Sequence, residues 1–225
     1  TLEQLARHTS CIPTAHDPRG RDSNPKRDLA SLDDLDALAS VPGTNFQYSR
    51  TGYFLLALAL ERASGTTWSD AMTALAADTG VGIGFDDDDA DPSMSTTDPD
   101  GHGYRGKVWA AGALLSTPSD LAVLMHRLFT DVLTPEEVDA MTALTTSREL
   151  GHYGLGIMPL CPCESDGDLL RSERFGLDSA TAGFAFDRAT GATVVLQPDA
   201  WYGDTGPEPQ FLELEQALLD HLGSA

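Results

Sequence analysis

The stretch PGTNFQYSRTGYFLLALALERASG, residues Pro42 to Gly65, decides how the rest of the chain is read. Pro42-Gly43-Thr44 marks a turn, because proline fixes its own φ and glycine tolerates a left-handed backbone. From Tyr53 to Ser64 the run YFLLALALERAS has helical length and almost no polar face, and Gly65 supplies the left-handed stop. A helix apolar on nearly every side is expected to be buried nearly all round. Upstream, Thr1 to His8 predicts a short helix capped by Thr1, with Leu2 and Leu5 on one side. Cys11 to Arg27 is rich in Pro, Gly, Asp and Arg and reads as a surface loop, and Ser31 caps a helix carrying Leu32, Leu35 and Leu38.

Downstream, Trp68 to Ala77 predicts another helix, and Asp86 to Asp91 is an acidic run in a long loop reaching Gly106. That run lacks the Gly and the distal Glu of a calcium loop, so it reads as a solvated surface. Thr117-Pro118-Ser119-Asp120 opens a helix with Leu121, Leu124, Met125, Leu128 and Phe129. Thr134-Pro135-Glu136-Glu137 opens the next, with Pro at its first position and a capping-box Glu. Beyond Thr145 the hydrophobic period shortens. Strands are expected at Tyr153 to Met158, Leu169 to Phe175, Ala182 to Asp187 and Ala192 to Gln197, with Arg188 to Gly191 as a hairpin turn. Phe211, Leu214, Leu218 and Leu222 form the apolar stripe of a last helix. Helices followed by antiparallel strands and a closing helix define an α+β class.

Composition sets the function classes. The 225 residues include 35 Asp and Glu against 14 Lys and Arg, a net charge of −21, so nucleic-acid phosphates and anionic lipid surfaces are repelled. No apolar run reaches the roughly 18 residues of a membrane span. Cys11, Cys161 and Cys163 allow one bridge, from Cys11 to either of the others, and leave one thiol over. Cys161-Pro162-Cys163 has the wrong spacing for a zinc set and no neighbouring His, so no metal site is expected. The chain starts TLEQLARHTS, without a basic segment or an apolar signal core.

Four segments, in order, resemble the serine β-lactamase and DD-carboxypeptidase superfamily, in particular the penicillin-binding proteins and esterases related to class C β-lactamases. LARHTSCIP at Leu5 to Pro13 is similar to that family's LLTHTSGLP. The opening stretch is similar to PGxxFxYSNxGYxLLGxxIExxxG, AAGALLSTPSDLAVLM at Ala110 to Met125 to AGGLxSTxxDLxxF, and HYGLGI at His152 to Ile157 to the YGLGW strand. The resemblance implies a β-lactamase/transpeptidase-like fold: an antiparallel sheet with flanking helices, residues 152–225, plus a mainly helical lobe, residues 31–144. It implies a serine hydrolase working through an acyl-enzyme, no cofactor, a secreted or cell-envelope setting, and a peptide, ester or β-lactam ligand. Such chemistry needs a Ser on a helix N-terminus with a Lys one turn later, a YxN or SxN loop, and a KTG or HTG strand that helps form the oxyanion hole.

All three elements depart from the pattern. The SxxK helix and first strands that precede the HTS element in the family are expected to be missing from this chain, so that a single incomplete domain results, with an unpaired strand edge and a segment on another chain as a possible partner. The only SxxK string, Ser23-Asn24-Pro25-Lys26, lies after that element in a Pro-rich loop, and Pro25 disfavours helical geometry at Asn24. The second motif reads Tyr48-Ser49-Arg50: Tyr48 remains as a candidate catalytic proton carrier, and Arg50 takes the place of Asn as a substrate-side group. Aligning FGLDSATAGF at Phe175 to Phe184 with YGHTGxxxGY places Leu177, Asp178 and Ser179 at the HTG position, a degenerate substrate-binding set. None of the six histidines is assigned chemistry. His8 reads as structural, and His16, His102 and His152 as exposed. Three functions follow: an impaired or silent member of the hydrolase family, a non-catalytic binding or regulatory module, or an active carboxypeptidase, esterase or β-lactamase completed by another segment.

Overall fold

A computed structural model describes residues 1–14, 40–85, 109–112, 114–160, 165–178, 182–197 and 209–223. The helix expected after Ser31, the Ser23 to Lys26 string, the acidic run, His16, His102, Cys161, Cys163 and Ser179 lie outside the described residues. The described residues fall into two compact units and form an α+β fold, as expected.

The first unit comprises described residues of Thr1–Leu75, Ile83–Leu115 and Glu149–Gly151. Helix α1, Leu2–Ala6, starts in a capping box formed by Thr1 and Gln4. Helix α2, Arg50–Ser64, begins three residues before the expected Tyr53, because Ser49 is its N-cap and its Oγ accepts the Gly52 N–H at 3.1 Å. Gly65 ends it in the left-handed conformation, φ 73°. Helix α1 and the turn Trp109–Ala111 pack against α2, and the Tyr53 hydroxyl donates to the Ala6 carbonyl at 3.1 Å. Burial does not run all round. Thr51, Gly52, Phe54 and Ala57 are buried, Leu55, Leu56 and Leu58 are half-buried and Leu60 is exposed, so the helix has more apolar surface than its described neighbours cover. Helix α3, Trp68–Thr79, sets Trp68 edge-on to Phe85 of a two-residue strand, β1, Gly84–Phe85, which pairs antiparallel with β2, Leu114–Leu115.

The second unit is built on an antiparallel sheet in the order β3-β4-β5-β6: Met158–Pro159, Arg174–Asp178, Gly183–Asp187 and Thr193–Leu196. Alternation on β5 explains its position. Phe184 and Phe186 join Phe129, Val138, Ile157 and Phe175 in one cluster, while Ala185 joins Leu160, Val194 and Leu219 in the other. Helix α4, Pro118–Arg127, is capped by Thr117 and runs into a wider turn at Leu128–Val132. Helix α5, Pro135–Thr142, has the expected Thr134/Glu137 capping box. The hairpin between β5 and β6 closes as expected: the Asp187 carboxylate accepts the Ala189 and Thr190 N–H groups at 2.9 and 3.1 Å, and Gly191 takes φ 73°. Its Arg188 reaches Asp139 and Thr142 on α5.

Three expectations are corrected. The strand expected at Tyr153 to Met158 shrinks to β3, because Gly154 N–H bonds Ile157 O at 2.8 Å in a turn and Leu155 N–H bonds Met141 O of α5 at 2.9 Å, taking both donors out of a strand ladder. The strand expected from Leu169 starts only at Arg174. Ser165 instead caps a short helix, α6, Asp166–Leu169, through the Asp168 N–H. The last helix, α7, Pro209–Gly223, buries Glu215 and Leu219, and Leu214 and Leu222 are each 49% exposed. Arg174 fixes that rotation by donating to Gln216 at 2.6 Å and to Asp220, while also holding Asp187 at 3.0 Å. No helix among the described residues is long and apolar enough to cross a membrane.

Candidate functional site

Tyr48 sits in the loop that enters α2, and this loop is tied down from both sides. Phe46 N–H donates to Glu149 O at 2.6 Å, Gln47 N–H to His8 O at 2.7 Å, and Ser49 N–H to His8 Nδ1 at 3.1 Å. Phe46 lies against Gly151, where a Cβ would come within 2.7 Å of its ring and φ is 73°. His8 itself is 2% exposed, with its ring centroid 4.6 Å from that of Tyr48, 5.0 Å from that of Tyr53 and 5.6 Å from that of Phe46. Burial pushes the His8 pKa down to about 4, so the imidazole is neutral near pH 7, with Nδ1 as the acceptor.

The HTS element is a buried turn. Thr9, Ser10 and Cys11 follow His8 inside, and Gly43 N–H donates to Thr9 O at 2.7 Å. Cys11 has φ 59°, a left-handed backbone, at the position of the glycine in the sequence pattern it resembles. It is a free thiol whose sulfur lies 3.0 Å from Ser40 Oγ and 3.4 Å from Val41 O.

Tyr48 is 57% exposed. Arg50 is the first residue of α2, half-buried, and its N–H donates to Thr14 Oγ1 at 3.3 Å. A guanidinium there stands at the positive end of the helix dipole. In the second unit Leu177 and Asp178 occupy the end of β4, opposite Phe184 and Gly183 on β5. Leu177 packs against the phenylalanine cluster. Gly176, one residue earlier, is required by close approach: a Cβ there would be 2.0 Å from Phe184 O. The described members of the candidate set thus lie as two pairs, Tyr48 with Arg50 in the first unit and Leu177 with Asp178 in the second.

His152 was expected to be exposed, yet it is 6% exposed at φ 47°, with Nδ1 2.8 Å from Thr145 O and Nε2 3.8 Å from Asp166 Oδ2. The left-handed Gly151-His152 pair folds the ring inward. Sequence reasoning also missed the Ser49 cap and the double hold of His8 on the Tyr48 loop. The serine at the head of an apolar run was the available signal for the first, whereas no local pattern joins residues 8 and 49. Among the described residues no group of three or more His, Cys, Asp or Glu is placed to hold a metal ion.

A family model described as Beta-lactamase matches residues 1–158. Among solved structures, the chain is similar to the octameric penicillin-binding protein homologue from Pyrococcus abyssi, with 21% identity over 99% of this chain and 56% of that one and a TM-score of 0.71. It is similar to a D-stereospecific amidohydrolase from Streptomyces, with 20% identity, 95% and 71% coverage and a TM-score of 0.68. SurE with D-Leu gives 23% identity and a TM-score of 0.65 over 100% of this chain, which spans 54% of the SurE chain. These identities show a shared fold. A comparison with curated proteins gives no match.

Proposed function

The chain belongs to the β-lactamase family, and from that premise we propose that these 225 residues form a serine-hydrolase-type scaffold that performs no acyl transfer by itself. The observation that carries the reading is an imbalance. The mount of Tyr48 is intact, with both flanking amides bonded to His8, yet the sequence offers only Ser23 and Lys26 as an SxxK pair, with Pro25 between them. Acyl transfer needs a serine Oγ to attack the carbonyl carbon while a base takes its proton, followed by protonation and departure of the amine or alcohol. Tyr48 fits the second half of that traffic, but a proton carrier without a nucleophile makes no covalent intermediate. Leu177 supports this reading: a half-buried apolar side chain packed against the phenylalanine cluster takes the position for which the resemblance calls for a polar group facing substrate.

A second reading has one observation in its favour, the exposure of Tyr48 on a well-braced loop. In it, a segment outside these residues supplies Ser and Lys, and the completed protein is a carboxypeptidase, esterase or β-lactamase.

The test is intact-protein mass spectrometry after incubation with a reporter penicillin, with hydrolysis of a chromogenic cephalosporin and a p-nitrophenyl ester followed in parallel. The expected result is no adduct and no turnover by the chain alone. A one-to-one adduct abolished by Ser23→Ala or Ser179→Ala would overturn the proposal and identify the nucleophile.

A further inference from the structure

We infer that His8 is the positioning residue for Tyr48, holding the tyrosine through the amides on either side of it and through its ring. The inference rests on the reading of Tyr48 as a proton carrier. Two hydrogen bonds make the case. The carbonyl of His8 takes the Gln47 N–H and its Nδ1 takes the Ser49 N–H, so one residue brackets Tyr48 from before and after. The His8 ring then lies against the Tyr48 ring, the two planes inclined by 40°. Tyr48 is therefore more than half exposed as a residue and held at its backbone, a combination suited to a proton-handling group.

The arrangement depends on a particular local geometry. His8 has φ 56°, and this left-handed turn lets its carbonyl and its imidazole reach the same loop. Nδ1 accepts only while it carries no proton, and burial keeps the ring neutral. On α1, Glu3 and Arg7 pair with each other at 3.0 Å, and Arg50 stands at the head of α2. Ser49 transmits the position onward, because its Oγ caps α2 at Gly52. A histidine that only filled space would need its ring and not its acceptor, and that difference separates the two roles.

The full chain, labelled with 15N and 13C, provides the test. In the wild type, nuclear magnetic resonance should find His8 Nδ1 unprotonated at neutral pH and scalar-coupled to the Ser49 amide nitrogen across the hydrogen bond. His8→Phe keeps a ring and loses the acceptor. His8→Asn keeps an acceptor and tolerates the left-handed backbone. Ser49 amide exchange should be about tenfold faster in His8→Phe and within about threefold of wild type in His8→Asn. The Tyr48 ring signals, identified with Tyr48→Phe, should broaden or split only in His8→Phe. Three results would overturn the inference: a protonated Nδ1 without coupling in the wild type, unchanged Ser49 and Tyr48 signals in His8→Phe, or equal acceleration of exchange at Ser49 and throughout β5. The wild-type measurement stands even if His8→Phe fails to fold. An acyl adduct on the chain alone would refute the proposed function and leave this inference untouched.

Discussion

Replacing Gly176 with alanine tests the placement of the β4 end through a single methyl group. The added Cβ would lie 2.0 Å from Phe184 O and 2.5 Å from Leu160 Cδ1, against ordinary carbon–oxygen separations of about 3.3 Å. More than an ångström must therefore open between β4 and β5. The obstructing oxygen is backbone, on a strand whose five residues are all buried, and Phe175 and Leu177 on either side are locked in register with Phe186 and Phe184. Overpacking of this kind usually costs about 1–3 kcal/mol, and the rigid partner places Gly176→Ala at the top of that range, about 3 kcal/mol. At about 2–4 °C per kcal/mol for a chain of this size, the melting midpoint should fall by about 10 °C. Urea unfolding followed by circular dichroism gives the free energy directly. Two controls separate space from conformation: Gly167→Ala on α6, whose nearest atom is 3.8 Å away, should change little, and Gly191→Ala, with open space but φ 73°, should cost about 1 kcal/mol. A Gly176→Ala protein within 1 kcal/mol of wild type, or one more stable than Gly191→Ala, would refute the close approach of the two strands.

The other expectations are smaller in scope. Cys11→Gly should alter stability by less than about 1 kcal/mol, since relief of the left-handed backbone offsets the lost side chain, whereas Cys11→Val should destabilise by about 2 kcal/mol in the same denaturation assay. Arg174→Met should cost about 3 kcal/mol, because the buried Asp187 carboxylate loses its cation. Burial alone would raise the Asp187 pKa. The Arg174 bond and the Thr190 and Ala189 amides outweigh it and hold the pKa below the usual carboxylate range, so the variant's carboxyl resonance should titrate higher. Acid should weaken the fold in two stages. His8 is neutral when folded down to about pH 4 and protonates near 6.5 when unfolded, so its contribution is complete above pH 6.5 and is lost as pH falls from 6.5 to 4, by at most about 3 kcal/mol. His8→Asn should flatten that slope. The lowered Asp187 and Glu137 pKa values act below it: their contribution is present above the ordinary carboxylate range and disappears as pH falls through their folded values.

What could be read from sequence follows from how local each signal is. Thr117, Thr134 with Glu137, and Gly65 announce helix ends within a few residues, and the structure places those ends there. Alternating Tyr153, Leu155 and Ile157 imitates a strand, but the two glycines between them divert the backbone donors to Ile157 O and Met141 O. The face of α7 was misjudged because Arg174, from a distant strand, sets its rotation through Gln216 and Asp220. The motif around Tyr48 singles it out as a candidate. The support that His8 gives it is not legible there, since the two bonds join residues about forty positions apart and no periodicity records such a pairing.

The way the chain threads its two units bears on biosynthesis. It passes between them at residues 75/76, 82/83, 115/116, 148/149 and 151/152, so neither unit is a continuous stretch that could be expressed alone. The last three residues of the first unit, Glu149–Gly151, supply the carbonyl that receives Phe46 N–H and the glycine shelf on which Phe46 rests. During translation the Tyr48 loop therefore stays unfinished while about a hundred further residues are made, and it closes only after Gly151 has left the ribosome. A fragment ending at residue 148 would carry Tyr48, Ser49 and His8 without that shelf.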